Sequence, residues 1–400
     1  MDFAVCFTNF GPYHLARLRA LAARLHSLGG RLIAYEVAGR EATYPWERRR
    51  AEEPFAWVTL FPNRVLETLT AADCRAAVTQ ALERDQPDAL AIVGYARPES
   101  MAAVRWARRR GRPAILMSES QAIDRPRCWW KELEKRRRVR LFDAALVGGP
   151  SHRDYLVQLG MDRGRIAFGY NAVDNAFFRD RAASWRAHPT GRTGLPPTPY
   201  FLTVCRFVPE KNLVRLITAF ARYRQRARDH RPWDLVLCGD GPDAKSVDAA
   251  VRESGCAASI HRPGFLQADA LARWYAFASA FVLPSVCEPW GLVANEAAAA
   301  GLPLLLSQRA GCASTLIPEG PGAEPTGARF DPFDPEDIRG KLAWMAGLPE
   351  DQRAALGLRA AEVVDRWGPE RFAEGILEAL EQTRQHRHPW RKPSLLETVR

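Results

Sequence analysis

Ala280-Phe281-Val282-Leu283-Pro284-Ser285-Val286-Cys287-Glu288-Pro289-Trp290-Gly291-Leu292-Val293-Ala294-Asn295-Glu296 is the stretch that decides the fold. Its first four residues are apolar and stop at a proline, the length and punctuation of a buried strand. Gly291 and the Ala-rich run that follows open a helix. A strand, a loop carrying one carboxylate and a helix carrying another is how α/β proteins grip a charged, hydroxyl-rich ligand.

Outward from this stretch the same alternation repeats. Before it come apolar strands at 200–204, 234–238 and 259–260, and after it one at 302–306. Helical patterns fall at 212–226, 243–253, 269–278 and 292–300. The first half offers strands at 3–8, 31–35, 57–61, 89–93, 114–117 and 144–147, with helices at 13–28, 71–84 and 98–110. Repeated β-α alternation predicts a parallel sheet covered on both faces, once in each half. A stretch rich in Pro, Gly and Thr at 184–199 interrupts the series. Four hundred residues suit two domains better than one. The expected organisation is a domain at 1–180, a linker at 181–199, a second domain at 200–368, a helix at 369–385 that packs back on the first domain, and a basic tail at 386–400.

Composition narrows the partners. Hydrophobic residues make up 47% and charged residues 26%, as in ordinary soluble globular proteins. A formal net charge of +11 favours an anionic partner: a nucleotide, a phospholipid surface or nucleic acid. The arginine-rich clusters at 48–50, 108–112 and 135–140 also read as solvated helix faces. No stacking module or base-reading motif supports nucleic acid, so none is expected. The eight cysteines are scattered singly, which predicts reduced thiols in a cytoplasmic protein and neither a disulfide framework nor a zinc site. The N-terminus reads as a strand and lacks the basic start of a signal peptide. No apolar run reaches the roughly 18 residues of a membrane span, so any membrane contact is expected to be peripheral, at the inner face.

Three loops carry the chemistry. In Val204-Cys205-Arg206-Phe207-Val208-Pro209-Glu210-Lys211, Arg206 emerges from a strand and Lys211 stands where the next helix starts. A planar guanidinium fork and a compact ammonium near a helix N-terminus together suit a diphosphate. A surface turn with two solvated cations fits the spacing equally well. In Gly239-Asp240-Gly241-Pro242, glycines follow a buried strand and permit close backbone approach or simply a tight turn. In the opening stretch, carboxylates such as Glu288 and Glu296 pair well with vicinal hydroxyls, because each oxygen accepts a hydrogen bond. The order of the three, each at a strand's carboxyl end, is what sets them apart from solvated surface glutamates.

Arg206 with Lys211, Gly239-Asp240-Gly241-Pro242, and Glu288 with Glu296 resemble the donor-site motifs of retaining GT-B glycosyltransferases, glycosyltransferase family 4. Phe10-Gly11-Pro12-Tyr13-His14 resembles that family's N-terminal glycine loop, and Asn171-Ala172-Val173-Asp174 the segment before its interdomain crossover. The resemblance implies a GT-B fold, two doubly wound Rossmann-like α/β domains facing each other across a cleft. It implies transfer of a hexose from a nucleoside-diphosphate sugar to an acceptor hydroxyl, with retention, in polysaccharide, glycolipid or other glycoconjugate synthesis. The nucleotide-sugar is then a co-substrate, and neither a cofactor nor a metal is expected; the chain has no D-x-D pair.

By the same resemblance, Arg206 and Lys211 neutralise the diphosphate as it leaves, and Glu288 holds hydroxyls of the transferred sugar; these three are the expected catalytic residues. Glu296 binds the ribose. Gly239 and the backbone N–H groups of Trp290, Gly291, Leu292 and Val293 complete the donor site, with Gly11 closing on the phosphates from the first domain. The side chains around Glu288 and Trp290 are where donor selectivity is looked for, and Trp290 itself is the least explained of them. The chain departs from the family in having Cys205 where relatives often have glycine. It also has no histidine in Ser118-Glu119-Ser120-Gln121, which leaves Glu119, His14 or neither for that role. A nucleotide-sugar epimerase and a non-catalytic nucleotide-sugar binder share the fold and stay open as alternatives.

Trp129-Trp130 beside Lys131 and the basic run at 135–140 invites two readings. One is a membrane-surface patch serving a lipid-linked acceptor. The other is a packed amphipathic helix with a solvated basic face.

Overall fold

The computed structural model describes residues 1–41, 52–227, 232–322 and 324–385. The arginine run at 48–50 and the basic tail from 386 lie outside the described residues. The chain divides into two compact units. The first holds Met1–Ser120, Pro126–Tyr170 and the chain from Pro369; the second holds Gln121–Arg125 and Asn171–Gly368.

The first unit is built on strands β1 (Asp2–Phe7), β2 (Arg31–Arg40), β3 (Ala56–Val65), β4 (Ala89–Val93), β5 (Ala114–Ser118), β6 (Ala144–Val147) and β7 (Ile166–Phe168). They pair in parallel in the order β3-β2-β1-β4-β5-β6-β7. Between them run α1 (Pro12–Ser27), α2 (Ala71–Asp85), α3 (Pro98–Arg110), α4 (Trp129–Val139) and α5 (Pro150–Gln158). The inner strands β4, β5 and β6 are almost wholly apolar because parallel strands are covered on both faces. β3 is an edge strand and is half exposed; it carries Pro62, whose missing N–H is tolerated there.

The second unit opens with α6 (Asn175–Ala187) and continues through β8 (Tyr200–Val204), α7 (Leu213–Arg226), β9 (Asp234–Cys238), α8 (Ala244–Glu253), β10 (Ile260–Gly264), α9 (Ala268–Phe277), β11 (Ala280–Leu283), α10 (Leu292–Ala299), β12 (Leu304–Ser307), α11 (Ala313–Leu316), β13 (Gly327–Phe330), α12 (Pro335–Gly347) and α13 (Glu350–Asp365). Its strands also pair in parallel, in the order β10-β9-β8-β11-β12-β13. Phe201, Leu235 and Val282 from the strands meet Leu216, Ile217 and Phe220 of α7 and Leu342 and Met345 of α12 in one core. A final helix, α14 (Pro369–Gln385), belongs to the first unit, where it packs on α1, β6 and β7.

Both sheets reverse their strand order once, between β1 and β4 and between β8 and β11, which makes each a doubly wound Rossmann-like fold. Two details differ from the sequence expectation. The stretch at 181–199 is not a free linker. Its first residues continue α6, and the Arg186 guanidinium donates to the carbonyls of Ala276 (2.8 Å) and Ala300 (2.6 Å) inside the second unit. The chain changes unit earlier, between Tyr170 and Asn171. The short strands β7 and β13 were also not anticipated, because three or four half-apolar residues carry too little pattern.

Candidate functional site

β8 and β11 are neighbours at the point where the second sheet reverses. Open α/β sheets bind ligands beyond the carboxyl ends of such strands. Arg206 and Lys211 follow β8, Glu288 and Glu296 follow β11, and Gly239 follows β9 on the other side of β8.

The loops after β8 and β11 are stitched together. Asn212 takes a left-handed backbone (φ 59°), which asparagine tolerates better than most residues. Its Nδ2 donates to the carbonyls of Pro284 (3.0 Å) and Pro332 (2.8 Å). The Val286 N–H donates to the Glu210 carbonyl at 2.9 Å. The result is an ion pair between Lys211 Nζ and Glu288 Oε2, and Ser285 Oγ donates to the same oxygen at 3.1 Å. The Glu288 side chain is 8% exposed and that of Lys211 19%, so the pair is largely shielded from water. Arg206, earlier on the same loop as Lys211, is exposed.

Gly239 is required sterically. Its φ is 136°, and a Cβ there would fall 1.8 Å from the Cys205 carbonyl oxygen, so β8 and β9 end too close for any side chain. Burial pushes the Cys205 thiol up to about 12, against the pull of Lys211, so it stays a neutral filler beside the cations.

Gly291 (φ 101°) caps α10 without a side chain; a Cβ would meet Leu283 Cδ2 at 2.7 Å. Leu292 and Val293 form the first helical positions, whose N–H groups have no partner within the helix and favour an anion or a hydroxyl oxygen. Glu296, in the second turn, is buried and accepts from the Tyr275 hydroxyl at 2.8 Å. It therefore does not face water as an ordinary helix glutamate does.

Trp290 needs a correction. Its ring is only 1% exposed, donates through Nε1 to Asn295 Oδ1 at 2.9 Å, and lies 5.6 Å from the Trp367 ring at 43°. The indole anchors the loop in the core, so it is not the side chain that selects a donor. The Trp290 carbonyl accepts from the Cys312 N–H at 3.1 Å, pinning the loop from the other side.

In the first unit, Gly11 precedes α1 in an extended conformation (φ −108°) that any residue adopts. Its N–H donates to His14 Nδ1 at 3.0 Å, so His14 caps its own helix. One turn on, Arg17 is buried with its guanidinium carbon 5.3 Å from the Tyr170 ring centroid. Burial lowers its pKa, while Tyr170 and Glu119 act the other way. Sequence reasoning missed Arg17, although its spacing from Leu18, Leu21 and Leu25 puts it on the apolar stripe of α1. It also missed Ser285, Tyr275 and Asn212, polar residues with no motif of their own. Among the described residues, no three His, Cys, Asp or Glu side chains gather as metal ligands would.

Residues 193–363 match the family model described as Glycosyl transferases group 1. The matched residues lie within the second unit. Arg206, Lys211, Gly239, Glu288 and Glu296 all lie within it. Among curated proteins, the chain is similar to the sulfoquinovosyl transferase SQD2 of Arabidopsis thaliana, 31% identical over 195 residues, 49% of this chain and 36% of that protein. It is similar to the glycogen synthase of Mycobacterium tuberculosis, 30% identical over 219 residues, 54% of this chain and 48% of that one. The chain thus spans less than half the length of these relatives. Among solved structures, a sucrose-phosphate synthase from Thermosynechococcus elongatus superposes with a TM-score of 0.73 at 18% identity, covering 96% of this chain and 100% of that one. At that identity the likeness is one of fold, and the fold is GT-B. No helix among the described residues is long and apolar enough to cross a membrane.

Proposed function

We propose that the chain is a glycosyltransferase of family 4 that moves a hexose from a nucleoside-diphosphate sugar to an acceptor hydroxyl, with retention and without a bound metal. The observation that carries this reading is the convergence of Lys211, Ser285 and Glu288 beside Arg206 and the bare N-terminus of α10, at the reversal of the second sheet. Arg206 and Lys211 face the diphosphate, where negative charge grows as the glycosidic bond breaks. An ammonium has three N–H donors, so Lys211 can keep Glu288 and still reach a phosphate oxygen. Glu288 then orients sugar hydroxyls, and Glu296 the ribose. The acceptor is assigned to the first unit.

Incubation with a nucleotide-sugar, a chelator and an acceptor tests this by proton NMR. Release of nucleoside diphosphate and a product of unchanged anomeric configuration are the expected result. Conversion of the donor alone favours the epimerase, inversion or a need for metal removes the family 4 reading, and binding without turnover favours a sensor.

The acceptor is proposed to be a glycoconjugate intermediate, with a lipid-linked one favoured by α4. Trp129 and Trp130 are 79% and 55% exposed, which supports the membrane-surface reading of α4. Lys131 Nζ lies 5.3 Å from the Trp130 ring centroid, and Arg137 and Arg140 are exposed further along. Indoles with basic neighbours suit an anionic membrane surface, and a peripheral place at the inner face follows. Full-length protein should sediment with phosphatidylglycerol vesicles, and the Trp129→Ser, Trp130→Ser double variant should not. Equal sedimentation of the two would remove this part of the reading.

A further inference from the structure

The Glu288 loop is held from a second direction, by a segment outside the matched glycosyltransferase residues. Between β5 and α4 the chain leaves the first unit for five residues, Gln121–Arg125, which belong to the second. Four contacts tie them to residues 286–289. Gln121, itself 2% exposed, donates through Nε2 to the carbonyls of Glu288 (3.0 Å) and Pro289 (3.3 Å). Cys287 Sγ donates to the Asp124 carbonyl at 3.4 Å. Arg309, from the loop after β12, spans both partners, donating through Nε to the Val286 carbonyl and through Nη2 to the Ile123 carbonyl, each at 2.5 Å. The five residues are closed on themselves by the Gln121 N–H to Asp124 Oδ2 at 2.7 Å. Lys211 and Ser285 thus hold the Glu288 carboxylate, while Gln121 and the Gly311 N–H (3.0 Å) hold its carbonyl.

We propose that Gln121–Arg125 is a strap that sets the position of Glu288, with Gln121 as a positioning residue for the sugar-binding carboxylate. The proposal rests on the donor-site reading above. A buried amide that donates to two consecutive carbonyls fixes both peptide planes of a loop that has no regular ladder, because one side chain then sets the direction of both C=O groups. The diphosphate contacts of Arg206 do not pass through the strap. Loosening it should therefore disturb the sugar's alignment, where misplacement by an ångström is costly, and spare the nucleotide.

Gln121→Glu keeps shape and removes the donor; Gln121→Ala removes both. The expected result is a kcat for donor turnover at least about tenfold lower, with the Kd of the nucleoside diphosphate unchanged. The same exchange in a Glu288→Gln background should change kcat less than about twofold, as coupled residues do. Equal loss in both backgrounds, a parallel loss of nucleotide affinity, or no loss would each overturn the proposal. Hydrogen exchange supplies a readout that needs no ligand. In Gln121→Ala the amides of residues 286–291 should exchange faster while those of β8 and β11 do not; unchanged exchange overturns the strap. Failure of the wild-type protein to bind any nucleoside diphosphate would instead sink the donor-site reading and leave the exchange result to judge the strap alone.

Discussion

Glu288→Ala is expected to lower donor turnover by about a hundredfold or more, the usual consequence of losing a group aimed at the reacting centre. The carboxylate sits at the reversal of the sheet, fixed by Lys211 and Ser285 on one oxygen. Truncation also takes from Lys211, a mostly buried cation, the carboxylate it pairs with. Breaking a buried pair from one side costs about 3–5 kcal/mol, and the partial exposure of Lys211 places this site near the lower end. Part of the lost activity then reflects unfolding. Glu288→Gln separates the two effects, because its carbonyl oxygen still accepts from Lys211 and Ser285. It should keep most of the stability in a urea titration and still turn over about tenfold or more slowly. A Glu288→Gln enzyme with full activity would remove Glu288 from the chemistry.

Lys211→Ala and Arg206→Ala should differ from each other, although both lose a cation from the same site. A hydrogen bond to a charged group contributes about 1.5–3 kcal/mol, so either change should weaken nucleoside diphosphate binding by about ten- to a hundredfold. Turnover should fall further than binding, because charge on the leaving diphosphate grows in the transition state. Stability should divide them. Lys211→Ala leaves the Glu288 carboxylate, 8% exposed, without its cation, and its unfolding midpoint should drop. Arg206 is exposed, and its removal should leave the midpoint unchanged. Calorimetry with the nucleoside diphosphate and urea unfolding of the same samples read both. Equal stability of the two variants would contradict the assignment of Lys211 as the partner of Glu288.

The sequence showed the fold where strands are buried on both faces. The apolar runs at 89–93, 144–147, 200–204, 234–238 and 280–283 coincide with β4, β6, β8, β9 and β11. It failed where an element is short or half exposed, as in β7 and β13, and where composition misleads, as at the start of 181–199, which is helical. The charged residues of the site were legible because strand ends in α/β sheets present their ligand-binding groups in sequence order. What holds those residues was not. Asn212, Gln121 and Arg309 act through hydrogen bonds across long stretches of chain, which leave no local pattern, and Ser285 through one bond that no motif marks. Trp290 was misread because a large aromatic beside a site suggests a ligand contact, whereas its indole finds its partners, Asn295 and Trp367, in the interior.

The central claim is that Arg206, Lys211, Glu288 and the N-terminus of α10 form one nucleotide-sugar site. Calorimetric titration of the purified full chain with UDP, GDP, ADP and TDP in the presence of a chelator tests it most directly. The account predicts saturable binding of at least one of them at a single site, weakened about tenfold or more by Arg206→Ala. Absence of binding by all four, or binding that Arg206→Ala and Lys211→Ala both leave untouched, would contradict it.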